Sequence, residues 1–165
     1  MNPVSPLPAL TIKGMRIPLP IVQGGMGVGV SLHPLASAVA LAGGLGLLSS
    51  ACLDRLVSRR LGREVDTYEA VREEVAAAKA AGGYAGINIM VAIQRDYETS
   101  VRAAIAAGAD AIVSGAGLPL SLPDIAPPGD TALIPIVSSA RALRLICRRW
   151  QRQHYRPDAV VLEGP

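Results

Sequence analysis

An α/β fold built around a parallel sheet is predicted by three observations. One unit recurs four times: an Ala-rich helix, a glycine or turn, a short apolar strand, then small residues. The strands read as continuous apolar runs rather than as strict alternation, the pattern of strands buried on both faces. Half of the 165 residues are hydrophobic and Phe is absent, so Ala, Val, Ile, Leu and Gly carry the core. That composition suits parallel strands covered by helices and excludes disordered and collagen-like chains.

Taken in order, "IPLPIVQ" reads as a first strand, and "LASAVALAGG" leads into "LGLLSS" as the next helix and strand. "AVREEVAAAKAAGG" then precedes "YAGINIMVA", and "SVRAAIAAGAD" precedes "AIVSGAG". "TALIPIVSS" is a fifth strand, and "ALRLICRRWQRQHYRPD" leads into a sixth, "AVVLEGP". Asp66 followed by Glu69 resembles a capping box for the helix carrying Val71 and Val75, with Gly82 or Gly83 in the left-handed position at its end. Gly108 plays the same stop role after Val101 and Ile105.

The net charge of +3 does not imply a nucleic-acid partner. Much of the excess sits in one helix, where Arg141, Arg144, Arg148 and Arg152 share a face opposite Leu143, Ile146, Cys147 and Trp150, the pattern of a solvated helix docked on a core. Cys52 and Cys147 are far apart and lack metal-ligand spacing, which predicts two buried free thiols in a reducing, cytoplasmic setting. From Ile17 to Leu53 there is no charged side chain, but Pro18, Pro20, Pro34 and repeated glycines break the run, so no membrane span is expected. The Pro-rich start "MNPVSPLPAL" has neither the basic head nor the apolar run of a signal peptide.

Two architectures use such repeats, an open doubly wound sheet and a closed (β/α)8 barrel. In the first loop, "GGMGVG", Gly25, Gly27 and Val30 fit the dinucleotide fingerprint G-x-G-x-x-G poorly at its last position, and no acidic residue ends the second strand. In a barrel the residues just past each strand form the active face. Here they read Gly24-Gly25-Met26, Ser49-Ser50-Ala51, Asn88 to Val91, Ser114 to Gly117, Ser138-Ser139 and Glu163-Gly164, small or hydrogen-bonding almost throughout. Such strand ends leave room for a flat ligand against bare backbone, with Ser, Asn and Glu at a polar rim. For any single loop, Gly and Ser making a tight turn is the ordinary alternative.

Together, "PIVQGGMGVGVSLHPLASAVALAGGLGLLSS", "GINIMVA", "DAIVSGAGLPLSLP", "IPIVSSARAL" and "PDAVVLEGP" resemble the nitronate monooxygenases, formerly called 2-nitropropane dioxygenases. The resemblance implies a (β/α)8 TIM barrel with FMN as cofactor, a fold similar to that of the FMN-dependent enoyl-acyl-carrier-protein reductases. About six of its eight βα units would be present, with residues 1–165 forming the N-terminal portion of a single domain. It implies that Gly24, Gly25 and Met26 pass close to the flavin ring, that Asn88 hydrogen-bonds FMN, and that Glu163, followed by Gly164, stands beside the cofactor. Ser114, Gly115 and Ser138 are expected on the same face.

The implied activity is oxidation of an alkyl nitronate or nitroalkane by oxygen, giving a carbonyl product and nitrite. The enzyme alternative is an FMN- and NADH-dependent enoyl-acyl-carrier-protein reductase. An alternative of another class is a non-catalytic module, a homo-oligomer associating through open sheet edges. The family's catalytic His belongs to an Ala-Gly-Gly-His-x-Gly segment that would follow Pro165, as would the last two strands with their phosphate loops. No catalytic residue is therefore assigned within the chain, and this piece alone is expected to be inactive. His33, near the first helix, reads as a cap or a residue near the site mouth, and His154 as a helix C-terminal contact.

Overall fold

A computed structural model describes residues 7–164, so the first six residues of the Pro-rich start and Pro165 of the last strand segment lie outside the described residues. In chain order the elements are β1 Leu10–Ile12, β2 Met15–Ile17, α1 His33–Leu41, β3 Leu45–Ser49, α2 Leu53–Leu61, α3 Thr67–Ala80 and β4 Tyr84–Met90. There follow α4 Gln94–Ala106, β5 Ala111–Gly115, α5 Leu122–Ile125, β6 Ala132–Val137, α6 Ala140–Gln151 and β7 Val161–Leu162. Strands β3 to β7 form one parallel sheet in sequential order, while β1 and β2 make a separate antiparallel hairpin. The sheet curls with helices on its outer face, a half-barrel of the (β/α)8 type, which is the one of the two architectures allowed by the repeated units that the resemblance implies.

Two cores follow from the alternation of side chains along each strand. On the outer face Leu48, Ile87, Ile89, Ile112 and Leu133 pack under the helices together with Val71, Val75, Val101, Ile146 and Trp150. Gly46 allows α1 to lie directly on β3, since a Cβ there would stand 2.0 Å from the carbonyl oxygen of Ala36. On the inner face Leu45, Leu47, Ala111, Val113, Ala132 and Ile134 fill the lumen with Ile12, Met15 and Ile17 of the hairpin. The hairpin closes the N-terminal end of the lumen. Lys13 Nζ donates to Thr131 O at 2.9 Å, just before β6, and the Arg16 amide donates to the Tyr84 hydroxyl at the start of β4.

The helix signals act largely as read. The Asp66 carboxylate accepts the Glu69 amide at 2.8 Å, but the Glu69 carboxylate pairs with Arg63 instead of reaching back, so the cap is one-sided. Gly82 and Gly108 follow the ends of α3 and α4 with φ of +92° and +74°. Arg141, Arg144, Arg148 and Arg152 are exposed on α6 while Ile146 and Trp150 are buried, and the Trp150 indole donates to Pro119 O at 2.8 Å. No helix among the described residues is long and apolar enough to cross a membrane.

Three expectations are corrected. "IPLPIVQ" is not a full strand: after Ile17 it touches the sheet through a single bridge, Val22 to Leu45, because the Ile21 amide turns back to Leu19 O and the Leu47 amide is taken by the Gln23 side chain instead of its backbone. The hairpin and α2 lie outside the repeated unit altogether. The thiols of Cys52 and Cys147 are free but not buried, since Cys52 occupies the exposed N-cap of α2 and Cys147 sits at the half-exposed margin of α6.

Candidate functional site

At the C-terminal ends of the strands the lumen opens into a cavity of about 360 Å³. Five of the residues assigned from sequence converge on it: Gly24, Gly25, Met26, Asn88 and Glu163. Leu47, Val113 and Ile136 floor it with apolar surface. Its volume is in the ordinary range for small-molecule sites.

Gly25 is packed against Asn88. A Cβ at Gly25 would stand 2.5 Å from Asn88 Cβ and 2.6 Å from Leu48 O, so only glycine fits at this approach. Asn88 Nδ2 donates to Gly25 O at 3.2 Å. A carboxamide offers two donors and an acceptor, so one N–H and Oδ1 of Asn88 stay free of protein partners among the described residues. Gly24 differs from its neighbour, because a Cβ there would meet nothing within 4 Å. Its bare backbone faces open space.

The other assigned residues are distributed differently. Ser138 lines an adjoining cavity of about 280 Å³ with Ala116, Gly117 and Leu118, and Ile136 and Glu163 are shared between the two cavities. Gly115 lies beneath, its missing side chain filled by Ile136, and Gly164 is exposed beyond the rim. Ser114 is fully buried toward the helices, where its hydroxyl donates to Ile89 O at 3.0 Å and meets the Tyr97 hydroxyl at 2.9 Å. It takes no part in either cavity. Burial pushes the Tyr97 phenol up to about 12, against a smaller opposing effect of Ser114.

Gln23 and Ser31, which the sequence reading passed over, hold the loop that lines the larger cavity. Along the edge of β3, the Leu45 amide donates to Ile21 O at 2.9 Å and the Ser49 amide donates to Ser31 O at 2.9 Å. Between them the Leu47 amide donates to the side-chain Oε1 of Gln23 at 3.0 Å. Gln23 Nε2 donates to Gly24 O and, at 2.9 Å, to Ser31 Oγ. Ser31 Oγ also accepts the Met26 amide at 2.9 Å and donates to Gly24 O at 3.3 Å, which uses the hydroxyl's one donor and both acceptor positions.

A third missed residue is Glu74, fully buried on α3. Its carboxylate accepts the His33 amide at 2.8 Å, meets His33 Nδ1 at 3.1 Å and pairs with Arg60. It thus supplies the anion at the N-terminus of α1, and His33 belongs to that structural cluster and lines neither cavity. The sequence signal was an acid on an apolar helix face, with Val71 and Ala78 at i−3 and i+4. His154 takes φ of +55° where the chain leaves α6.

Comparison with known proteins agrees with this fold. The family model described as nitronate monooxygenase matches residues 9–59, which run from the hairpin through the glycine loop to α2. No curated protein matches the sequence. Among solved structures, FabK from Thermotoga maritima superposes with a TM-score of 0.69 at 25% identity, covering 88% of this chain and 40% of that one. A nitroalkane oxidase from Streptomyces ansochromogenes gives 0.67 at 19% identity, covering 90% and 47%. An IMP dehydrogenase/GMP reductase-like protein from Corynebacterium glutamicum gives 0.66 at 14% identity, covering 95% and 48%, a likeness of fold alone. The chain therefore spans less than half the length of each of these structures. It is an α/β half-barrel of the (β/α)8 type that matches the nitronate monooxygenase family across its first loop and the elements flanking it.

Proposed function

We propose that the cavity at the strand ends receives the ring system of FMN and that the chain forms part of an FMN-dependent oxidoreductase acting on alkyl nitronates with oxygen. The observation that carries this reading is the convergence of Gly24, Gly25, Met26, Asn88 and Glu163 on one cavity. The fit is good at the ring. Gly24 offers flat backbone over open space, Asn88 has a free donor and a free acceptor for a polar ring edge, and Leu47, Val113 and Ile136 keep water from the face below. Neither cavity is lined by a basic side chain, so no side-chain cation there is available to the phosphate.

When bound, FMN supplies the electron acceptor for the substrate and the route from substrate to oxygen. The chain's own residues orient and exclude. Met26 and Glu163 flank the mouth, and the adjoining cavity around Leu118 and Ser138 can take a short alkyl arm. The free thiols of Cys52 and Cys147 go with a cytoplasmic setting.

The test is titration of the purified protein with FMN, followed by flavin absorbance and fluorescence, and oxygen uptake with propyl nitronate by the complete enzyme of which the chain forms part. Expected is a saturable spectral change that Asn88→Ala weakens by about tenfold, the effect of one good hydrogen bond in a buried site. No spectral change at high FMN overturns the site. Turnover of NADH with a crotonyl thioester, and none of the nitronate, replaces the reaction by enoyl reduction.

A further inference from the structure

We propose that Gln23 is a positioning residue whose carboxamide stands in for a rung of the β ladder, turning residues 24–30 out of the sheet and holding them as the wall of the cavity. In a continued parallel ladder, the acceptor for the Leu47 amide would be the main-chain carbonyl of Gln23 and that for the Ser49 amide the carbonyl of Gly25. Neither is used. The side-chain Oε1 of Gln23 takes the Leu47 amide at 3.0 Å, and Ser31 O takes the Ser49 amide at 2.9 Å. The edge of β3 is thereby satisfied although the backbone between Gln23 and Ser31 has left it, and Leu47 is buried, where an unpaired amide is costly.

The other half of the carboxamide fixes where the departing loop goes. Nε2 holds Gly24 O and Ser31 Oγ, and Ser31 in turn holds the Met26 amide. Gly24 and Met26 are thus set by one side chain and one fully buried hydroxyl, while the Gly25 carbonyl between them accepts from Asn88. The role of the loop as a ligand wall rests on the FMN reading; the latch itself does not.

Amide hydrogen exchange of the whole chain, with and without FMN, separates the two. In Gln23→Leu the Leu47 and Met26 amides lose protection by at least about tenfold, the equivalent of one hydrogen bond, while the Ile87 and Ile112 amides inside the sheet keep theirs. Gln23→Glu keeps the acceptor and loses the donors, so Met26 is released and Leu47 stays protected. Ser31→Ala gives the same split from the other partner and serves where a Gln23 variant does not fold. FMN affinity falls in step with Met26 protection in all three variants. Equal loss of protection across the sheet indicates a merely structural role and overturns the proposal, as do wild-type Leu47 and Met26 exchange rates in Gln23→Leu. If wild type binds no FMN, the functional reading falls and the exchange pattern still decides the latch.

Discussion

The two ends of the curled sheet are built on opposite terms. At the N-terminal end Ile12, Met15 and Ile17 drive a hairpin into the lumen, and polar groups lock it from outside: Lys13 Nζ donates to the Tyr155 hydroxyl at 2.8 Å, which donates to Asp158 Oδ2 at 2.7 Å, and the same oxygen accepts the Leu133 amide. At the C-terminal end the chain shows bare glycine backbone, and Met26, Val28 and Val30 stand more than half exposed. One end uses large side chains and closed hydrogen-bond circuits, and the other uses small residues and free polar groups. Segregating the two leaves the loops of the open end largely outside the packing that supports the fold, the division that barrel enzymes use.

The largest effect expected from this division is at the closed end. Ile17 is fully buried among Leu45, Ala111 and Ala132, where no exposed surface is available to relax into the space left by a smaller side chain. Ile17→Ala should cost about 2–5 kcal/mol, read by urea denaturation, while the affinity for FMN among molecules still folded stays at the wild-type value. A loss below about 1 kcal/mol breaks the comparison, since it would mean that the hairpin is a cover and not a core element.

Next in size is Gly25→Ala at the open end. The new methyl meets Asn88 Cβ and Leu48 O inside 3 Å, and Leu48 O is backbone that cannot move aside. About 1–3 kcal/mol of overpacking is expected, together with loss of the Asn88 contact and of FMN binding. Gly24→Ala serves as its control: with nothing near the added methyl, stability holds and only binding falls. If both variants lose stability alike, the open end is not the permissive one.

Which of these features could be read from the sequence follows from strand physics. The helix–strand units were legible because glycine stops and apolar runs are local signals, and the strand ends fell where the runs ended. The same runs hid parity. Strand β5 is apolar on both faces, so nothing in "AIVSG" tells that Ile112 and Ser114 point to the helices while Val113 and Gly115 point to the lumen, and Ser114 was placed on the wrong face. The hairpin was obscured by its three-residue strands and surrounding prolines, although "IKGM" holds the two left-handed turn residues, Lys13 and Gly14, that a two-residue loop requires. The Gln23 rung joins residues 24 apart through a side chain, a pairing no periodicity encodes.

A smaller effect comes from the helix side of the open end. The Tyr97 hydroxyl ties α4 to Ser114 on the helix side of β5, and its pKa is pushed from about 10 up to about 12 by burial. The folded protein thus keeps a proton that the unfolded chain releases sooner. The stabilisation is whole below pH 10 and is lost as the pH rises from 10 toward 12. Tyr155 at the closed end moves in the same direction, through burial and then the Asp158 carboxylate. Tyr97→Phe should cost about 1 kcal/mol at neutral pH for the lost bond and flatten part of the alkaline decline in Tm, leaving the Tyr155 part in place. An unchanged decline in that variant would assign all of it to the closed end.

Met26→Ala, like Gly24→Ala, should leave stability nearly unchanged. The residue is 53% exposed and its loop is held by bonds to the Ser31 hydroxyl and from Gln23, not by the thioether, so the change in unfolding free energy should stay within about 0.5 kcal/mol. The residue still lines the cavity mouth, so the same substitution should weaken FMN binding by severalfold. Measured together, the two numbers sharpen the comparison most, because Ile17→Ala and Met26→Ala remove apolar side chains of similar size from opposite ends of one lumen. A fold divided as the geometry indicates loses stability in the first and binding in the second, and the reverse assignment in either variant would show that the two ends are not independent.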